Sequence, residues 1–148
     1  NPIVSEKCQV KPYEIFSEDY LINSISDLRK LIWREAGVTR NYSGMQDSLI
    51  GILKELEIFT NQPLINLVNH HSKDLIIHFD EIQLRNLNLL LDCNHRLITS
   101  SLLLKACLFR RESRGGHFRT DFPASVPFWE YHSRQKLGKG IFTRPVNP

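Results

Sequence analysis

The sequence is poor in the features that usually announce a function. Among 148 residues there is one methionine, Met45, and the first residue is Asn1. Asn1 is therefore read as a processing boundary, with further sequence expected upstream. No stretch of eighteen apolar residues occurs, so no membrane span is expected. Asn1-Pro2-Ile3-Val4 has neither a basic nor an apolar leader region, so no secretory signal is visible. Cysteine is scarce and odd in number: Cys8, Cys93 and Cys107. Cys93 and Cys107 lie too far apart on one predicted helix to bridge each other. Reduced thiols in a cytosolic setting are the expectation. The formal net charge is only +3, which by itself names no partner.

Signals of catalysis are equally thin. A dinucleotide fingerprint follows a strand and opens a helix, whereas Gly115-Gly116 follows a helix. His70 and His71 are adjacent, His78 comes seven residues later, and Cys93 and His95 fall on different helix faces. None of these spacings suits a structural zinc site. Ser113, His117 and Asp121 are the residue types of a nucleophilic relay, but no nucleophile elbow or oxyanion pattern accompanies them. No catalytic, cofactor-binding or metal-binding residue is expected in this chain, which is read as inert on its own.

What is present is helical pattern. Hydrophobic residues make up 41% and charged residues 24%, a balance that suits one globular core. Ile25, Leu28, Leu31, Ile32 and Ala36 recur at helical spacing and predict a helix over residues 24–36. Gly37 is read as its left-handed C-cap. Ser43 and Gln46 form a capping-box pattern, followed by a stripe from Met45 to Phe59. Asp80 and Gln83 repeat that pattern before the longest helix, about 81–111, with Asn94 inside its apolar stripe. Leu64–Val68 suit a short helix, and Leu75–Phe79 either a brief strand or an extended link.

The expected fold is all-α, an antiparallel three-helix bundle over residues 24–114. Residues 1–23 are read as a linker. Residues 115–148 are read as an extended docking tail, irregular because of Pro123, Pro127, Pro145, Gly138 and Gly140. Phe118, Phe122, Phe128, Trp129 and Tyr131 suggest that this tail rests on a surface. Between bundle and tail runs Arg110 to Pro123, dense in Arg, His and Asp. Two readings stand: an ordered loop held by Arg–Glu and Arg–Asp pairs, or a lock against another domain.

The same stretch carries a resemblance. Glu112-Ser113-Arg114-Gly115-Gly116-His117, followed by Arg119, Asp121, Phe122 and Pro123, resembles the C-terminal domain of the flavoprotein family that includes L-aspartate oxidases, succinate dehydrogenases and fumarate reductases. Leu28-Arg29, Trp33, Gly37-Val38 and Arg40 look like the first-helix signature of that domain, and Trp129 with His132 like its tail. Leu84-Arg85-Asn86-Leu87 is similar to the aspartate-oxidising branch. Ala124-Ser125-Val126-Pro127 stands where succinate dehydrogenases carry a more acidic run.

The resemblance implies a parent protein that binds FAD non-covalently and converts L-aspartate to iminoaspartate in NAD biosynthesis. Its FAD and substrate domains would lie upstream of residue 1, so no cofactor is expected in this chain itself. The implied partner is that upstream FAD-binding domain, with Arg114, His117, Arg119 and Asp121 shaping the interdomain contact. A homodimer of the isolated chain is a further expectation, and cytoplasm, or plastid in a plant, the implied compartment. The alternatives are the same domain of a succinate dehydrogenase or fumarate reductase flavoprotein, and a stand-alone helical binding module. Nucleic acid is not the expected partner, because Glu112 and Asp121 interrupt the basic residues, and neither is a membrane.

Overall fold

A short polar side chain starts the first helix. The computed structural model describes residues 16–63, 65 and 79–146. The Ser17 side chain accepts a hydrogen bond from the Tyr20 amide at 3.2 Å, and Glu18 and Asp19 favour the positive end of the helix dipole. Helix α1 therefore spans Glu18–Ala36. This corrects the reading of residues 18–23 as linker. Leu21 is fully buried in the core, and Phe16 stacks on Tyr20 and Phe59 with centroids 4.7 and 5.0 Å apart. Residues 1–15 of the expected linker lie outside the described residues.

Gly37 ends α1 for a reason other than the expected one. Its φ of −67° is not left-handed. A Cβ there would sit 2.2 Å from the Trp33 carbonyl oxygen, so close approach of backbone excludes a side chain. Helix α2, Tyr42–Thr60, is capped by Asn41 and not by the expected Ser43–Gln46 box. Asn41 is extended, and its Oδ1 accepts from the Gly44 amide at 2.8 Å, while Ser43 Oγ donates to Asp47. The longest helix, here α3, spans Glu81–Phe109. Its expected capping box is present: the Gln83 amide donates to Asp80 Oδ1 at 2.7 Å and the Asp80 amide to Gln83 Oε1 at 3.1 Å.

The three helices share one core, with α3 packed against both α1 and α2. Met45, Ile52, Phe59, Leu90, Leu97 and Leu104 are almost fully buried, each worth about 1.5–3 kcal/mol of transfer free energy. Asn94 is buried inside this stripe, as its position in the pattern suggests, and its Oδ1 has no hydrogen-bond partner among the described residues. Cys93 and Cys107 are free and buried; burial pushes the Cys93 thiol up to about 11 and raises Cys107 as well, so both are unreactive.

The chain is mainly helical but not all-α, and its tail is not simply extended. Strand β1, Thr39–Arg40, pairs in parallel with β2, Phe118–Arg119. Strands β3, Tyr131–Lys136, and β4, Gly140–Pro145, form an antiparallel hairpin. Gly138 and Gly140 have φ of 74° and 70°, the left-handed geometry that a tight reversal requires. The tail prolines exclude a helix, yet Pro145 fits the last position of a strand. A 3-10 turn, Pro127–Trp129, sets Trp129 edge-on against Phe109 with centroids 5.4 Å apart. The short helix and strand expected between residues 64 and 79 fall mostly outside the described residues; Ile65 is buried and Phe79 is packed against the core. No helix among the described residues is long and apolar enough to cross a membrane.

Candidate functional site

The last carbonyls of a helix lack partners within it, and the helix dipole leaves that end negative. Arg119 answers both needs at the end of α3. Its guanidinium is buried, and Nη1 donates to the carbonyl oxygens of Cys107, Leu108 and Arg110 at 3.2, 3.1 and 3.1 Å. Nε donates to Asp121 Oδ1 at 3.0 Å and Nη2 to Asp121 Oδ2, a bidentate pair. The guanidinium lies 4.7 Å from the Phe122 ring centroid. The Arg119 hydrogen bonds lower the Asp121 pKa below its ordinary value; partial burial opposes this, and its own and the Tyr42 backbone amides assist it.

Glu112 organises the other half of the turn. Its carboxylate is fully buried. It accepts from Arg110, from Arg114 Nε at 3.0 Å and Nη2 at 3.2 Å, and from the Val126 amide at 2.9 Å. Burial pushes its pKa up, but the hydrogen bonds from Arg114, Val126 and Arg110 outweigh that and hold it at about 2. Arg110 in turn donates to the carbonyl oxygens of Trp129 at 2.8 Å and Tyr131 at 2.5 Å, which ties the hairpin to the end of α3. Ser113 Oγ donates to the Phe122 carbonyl and accepts from the Arg119 amide, each at 2.8 Å.

His117 joins this turn to the α1–α2 connection. Arg40 Nη1 donates to His117 Nδ1 at 2.5 Å, and Arg40 Nε donates to the Ala36 carbonyl at 3.1 Å, capping α1. Since Nδ1 accepts, the ring is neutral with its proton on Nε2, which faces the Arg110 carbonyl at 3.4 Å. Burial lowers the His117 pKa, the Arg110 carbonyl bond opposes that, and the charges of Arg40, Arg119 and Arg110 lower it further. Thr120 completes the joint by donating its amide to the Arg40 carbonyl at 2.9 Å.

The four residues expected at an interdomain contact are thus brought into one turn. Arg119 and Asp121 face each other and the end of α3. Arg114 and His117 remain partly accessible. Three further residues complete the cluster, Arg40, Arg110 and Glu112; the reading of an ordered loop held by Arg–Glu and Arg–Asp pairs is met by Arg110 and Arg114 on Glu112 and by Arg119 on Asp121, whereas Arg40 is not singled out by it. Ser113, His117 and Asp121 do not form a relay, since each is bonded to other groups.

Among the described residues no group of three or more His, Cys, Asp or Glu converges. The Gly115-Gly116 turn closes on itself through the Arg114 amide to the His117 carbonyl, 2.9 Å, and the His117 amide to the Arg114 carbonyl, 3.0 Å. The described residues do not fit a dinucleotide cradle.

A second feature adjoins the turn. Between α1 and α3 lies an open groove of about 1180 Å³, lined by Ile32, Trp33, Val38 and Leu103 with Arg29 and Arg96 among its charged residues. Trp33 is 79% exposed and Val38 71%. Gly116 and Arg40 also line it, so the stapled turn forms one end.

Comparison with known proteins agrees with the resemblance. Residues 25–137 match the family described as fumarate reductase flavoprotein C-term. The chain is 32% identical over 108 residues to an L-aspartate oxidase of Nostoc sp., covering 72% of this chain and 18% of that protein. It is 30% identical over 121 residues to an L-aspartate oxidase of Synechocystis sp., covering 81% and 22%. It is 49% identical over 47 residues to a CoM/CoB fumarate reductase chain of Methanothermobacter marburgensis, covering 30% and 9%. The chain spans about a fifth of the length of the first two relatives. No solved structure matches.

Proposed function

Because the chain belongs to the fumarate reductase flavoprotein C-terminal family, we propose that it is the C-terminal helical domain of an L-aspartate oxidase. In this reading its three helices form an antiparallel bundle that seats against an FAD-binding portion of the same polypeptide. The parent converts L-aspartate to iminoaspartate with FAD, in the cytoplasm. The observation that carries the reading is the likeness to L-aspartate oxidases over most of this chain.

This chain's own contribution is architectural. Arg119 and Arg40 close the C-terminal ends of α3 and α1, and Glu112 gathers Arg110 and Arg114 against them. The result is a stiff corner where two helix ends, two short strands and the hairpin meet. Such a corner can present a fixed surface to a partner domain with little ordering cost on docking.

The test is aspartate oxidation with added FAD, measured on this chain and on this chain joined to the flavin-binding remainder. The expected result is an inert chain and an active whole. Turnover or FAD binding by the chain alone would overturn the proposal. A second reading, the same domain of a fumarate reductase, draws on the higher local identity to the Methanothermobacter protein. Succinate–fumarate activity in the whole, with none on aspartate, would select it.

A further inference from the structure

We infer that the groove between α1 and α3 is the face on which the flavin-binding portion of the polypeptide seats, with Trp33 as anchor, through an apolar segment that carries a carboxylate opposite Arg29. The inference rests on the reading proposed above and adds the surface and its chemistry.

An indole left 79% exposed at the end of a helix exposes apolar area that water disfavours. Trp33 does not stand alone. Val38 lies beside the same groove at 71% exposed, with Ile32 and Leu103. Together they make an apolar patch with a shape, and such patches mark contact sites. A buried Trp is also the commonest energetic anchor of an interface. The groove is open along its length and, at about 1180 Å³, has room for a polypeptide segment.

Charge narrows the chemistry. The lining residues include Arg29, Arg96, Lys30 and Arg40 and no carboxylate, but Lys30 and Arg96 are paired with Asp27 and Asp92 beside the lining and Arg40 with the Ala36 carbonyl and His117, so Arg29 carries the unpaired charge of the groove among the described residues. A segment with an apolar ridge beside an acidic residue complements this pattern. The occupant follows from length. The chain spans about a fifth of its L-aspartate oxidase relatives, so in the reading proposed above a far larger partner surface belongs to the same polypeptide.

Two further observations agree. Leu28, Arg29, Trp33, Gly37, Val38 and Arg40, positions through which the sequence resembles its family, all line this groove, and of these Leu28 alone belongs to the domain's core. By contrast, the donors of the arginine turn, apart from the exposed Arg114, face inward. Arg119 is buried on carbonyls and Asp121, and Arg110 on Glu112 and the hairpin. The turn acts on the groove by position: Arg40 and His117 hold the Gly37–Arg40 segment at the groove's end.

The experiment compares thiol labelling by a maleimide, mapped by peptide mass spectrometry, in two variants. Val38→Cys reports the groove and Leu137→Cys the exposed hairpin tip. Each is made in this chain alone and in the full flavoprotein. Flavin absorbance of the full protein checks the underlying reading independently. The expected result is labelling of Val38→Cys at least tenfold slower in the full protein, with Leu137→Cys unchanged. Adding Trp33→Glu should restore fast labelling at Val38→Cys in the full protein and leave the melting temperature of this chain alone unchanged. Equal labelling of Val38→Cys in both forms of a flavin-loaded protein would overturn the inference, as would protection confined to Leu137→Cys. A full protein without flavin would instead sink the proposed function.

Discussion

A carboxylate without water is tolerated only when enough donors face it. Glu112 meets that condition with two guanidinium groups and one amide. Its folded pKa, about 2, lies below the ordinary 4.5. A depressed folded pKa adds stability above the unfolded value and loses it as pH falls through the folded one. The gain from Glu112 is thus complete above pH 4.5 and fades from there towards pH 2. Urea denaturation of the native chain and of Glu112→Gln should show a stability gap at neutral pH that closes on acidification; a gap independent of pH would refute this account. His117 acts in the same direction. It is neutral when folded, with a pKa below 6.5, so its contribution shrinks as pH falls below 6.5. Arg119→Ala removes the buried guanidinium that caps α3 and leaves its last carbonyls without that donor. It should cost about 1–3 kcal/mol, the range for leaving a buried polar group unpaired, read as a lower urea midpoint.

At the scale of elements, the helix ends decide where the chain turns. Ser17, Asn41 and Asp80 each offer a side-chain oxygen to a free amide, so each helix starts where a short polar side chain meets an apolar stripe. The C-terminal ends use other means. Two of them borrow arginines from elsewhere in the chain, Arg40 for α1 and Arg119 for α3. Gly37 lets the chain leave α1 close to its own last turn. Gly37→Ala would drive a methyl group against the Trp33 carbonyl and should cost about 1–3 kcal/mol, the scale of overpacking. Thermal melting checks it. Gly51→Ala supplies the contrast: it lies within α2 with open space where a Cβ would stand, and should be neutral or stabilising.

At the scale of the whole molecule, the parts differ in how firmly they are held. The core under α3 is continuous, whereas the hairpin is fastened mainly by Arg110 on the Trp129 and Tyr131 carbonyls and by Gln135 on the Leu102 carbonyl. Its tip, Leu137, is completely exposed. Segments with few buried apolar contacts open first. Brief trypsin digestion should therefore cut at Lys136 or Lys139 before any site in α1–α3, with the fragments identified by mass. First cuts within α3 would show that the helices open before the hairpin.

Period and caps carried much of this in the sequence alone. The stripe of α3 and its Asp80–Gln83 box were legible because both depend on neighbours within one or two turns. The family likeness was legible for a similar reason, since its motifs are runs of adjacent residues. The start of α1 was missed because Leu21 belongs to the core only once Phe59 and Phe16 are beside it. The hairpin was missed because its signal, Gly138 and Gly140, reads equally as a loose tail until two strands pair. The inward turn of Arg119 and the neutral state of His117 depend on contacts from distant parts of the chain: Arg119 with the end of α3, His117 with Arg40. Only packing brings those groups together, and only packing leaves Trp33 outside the core that its own helix builds.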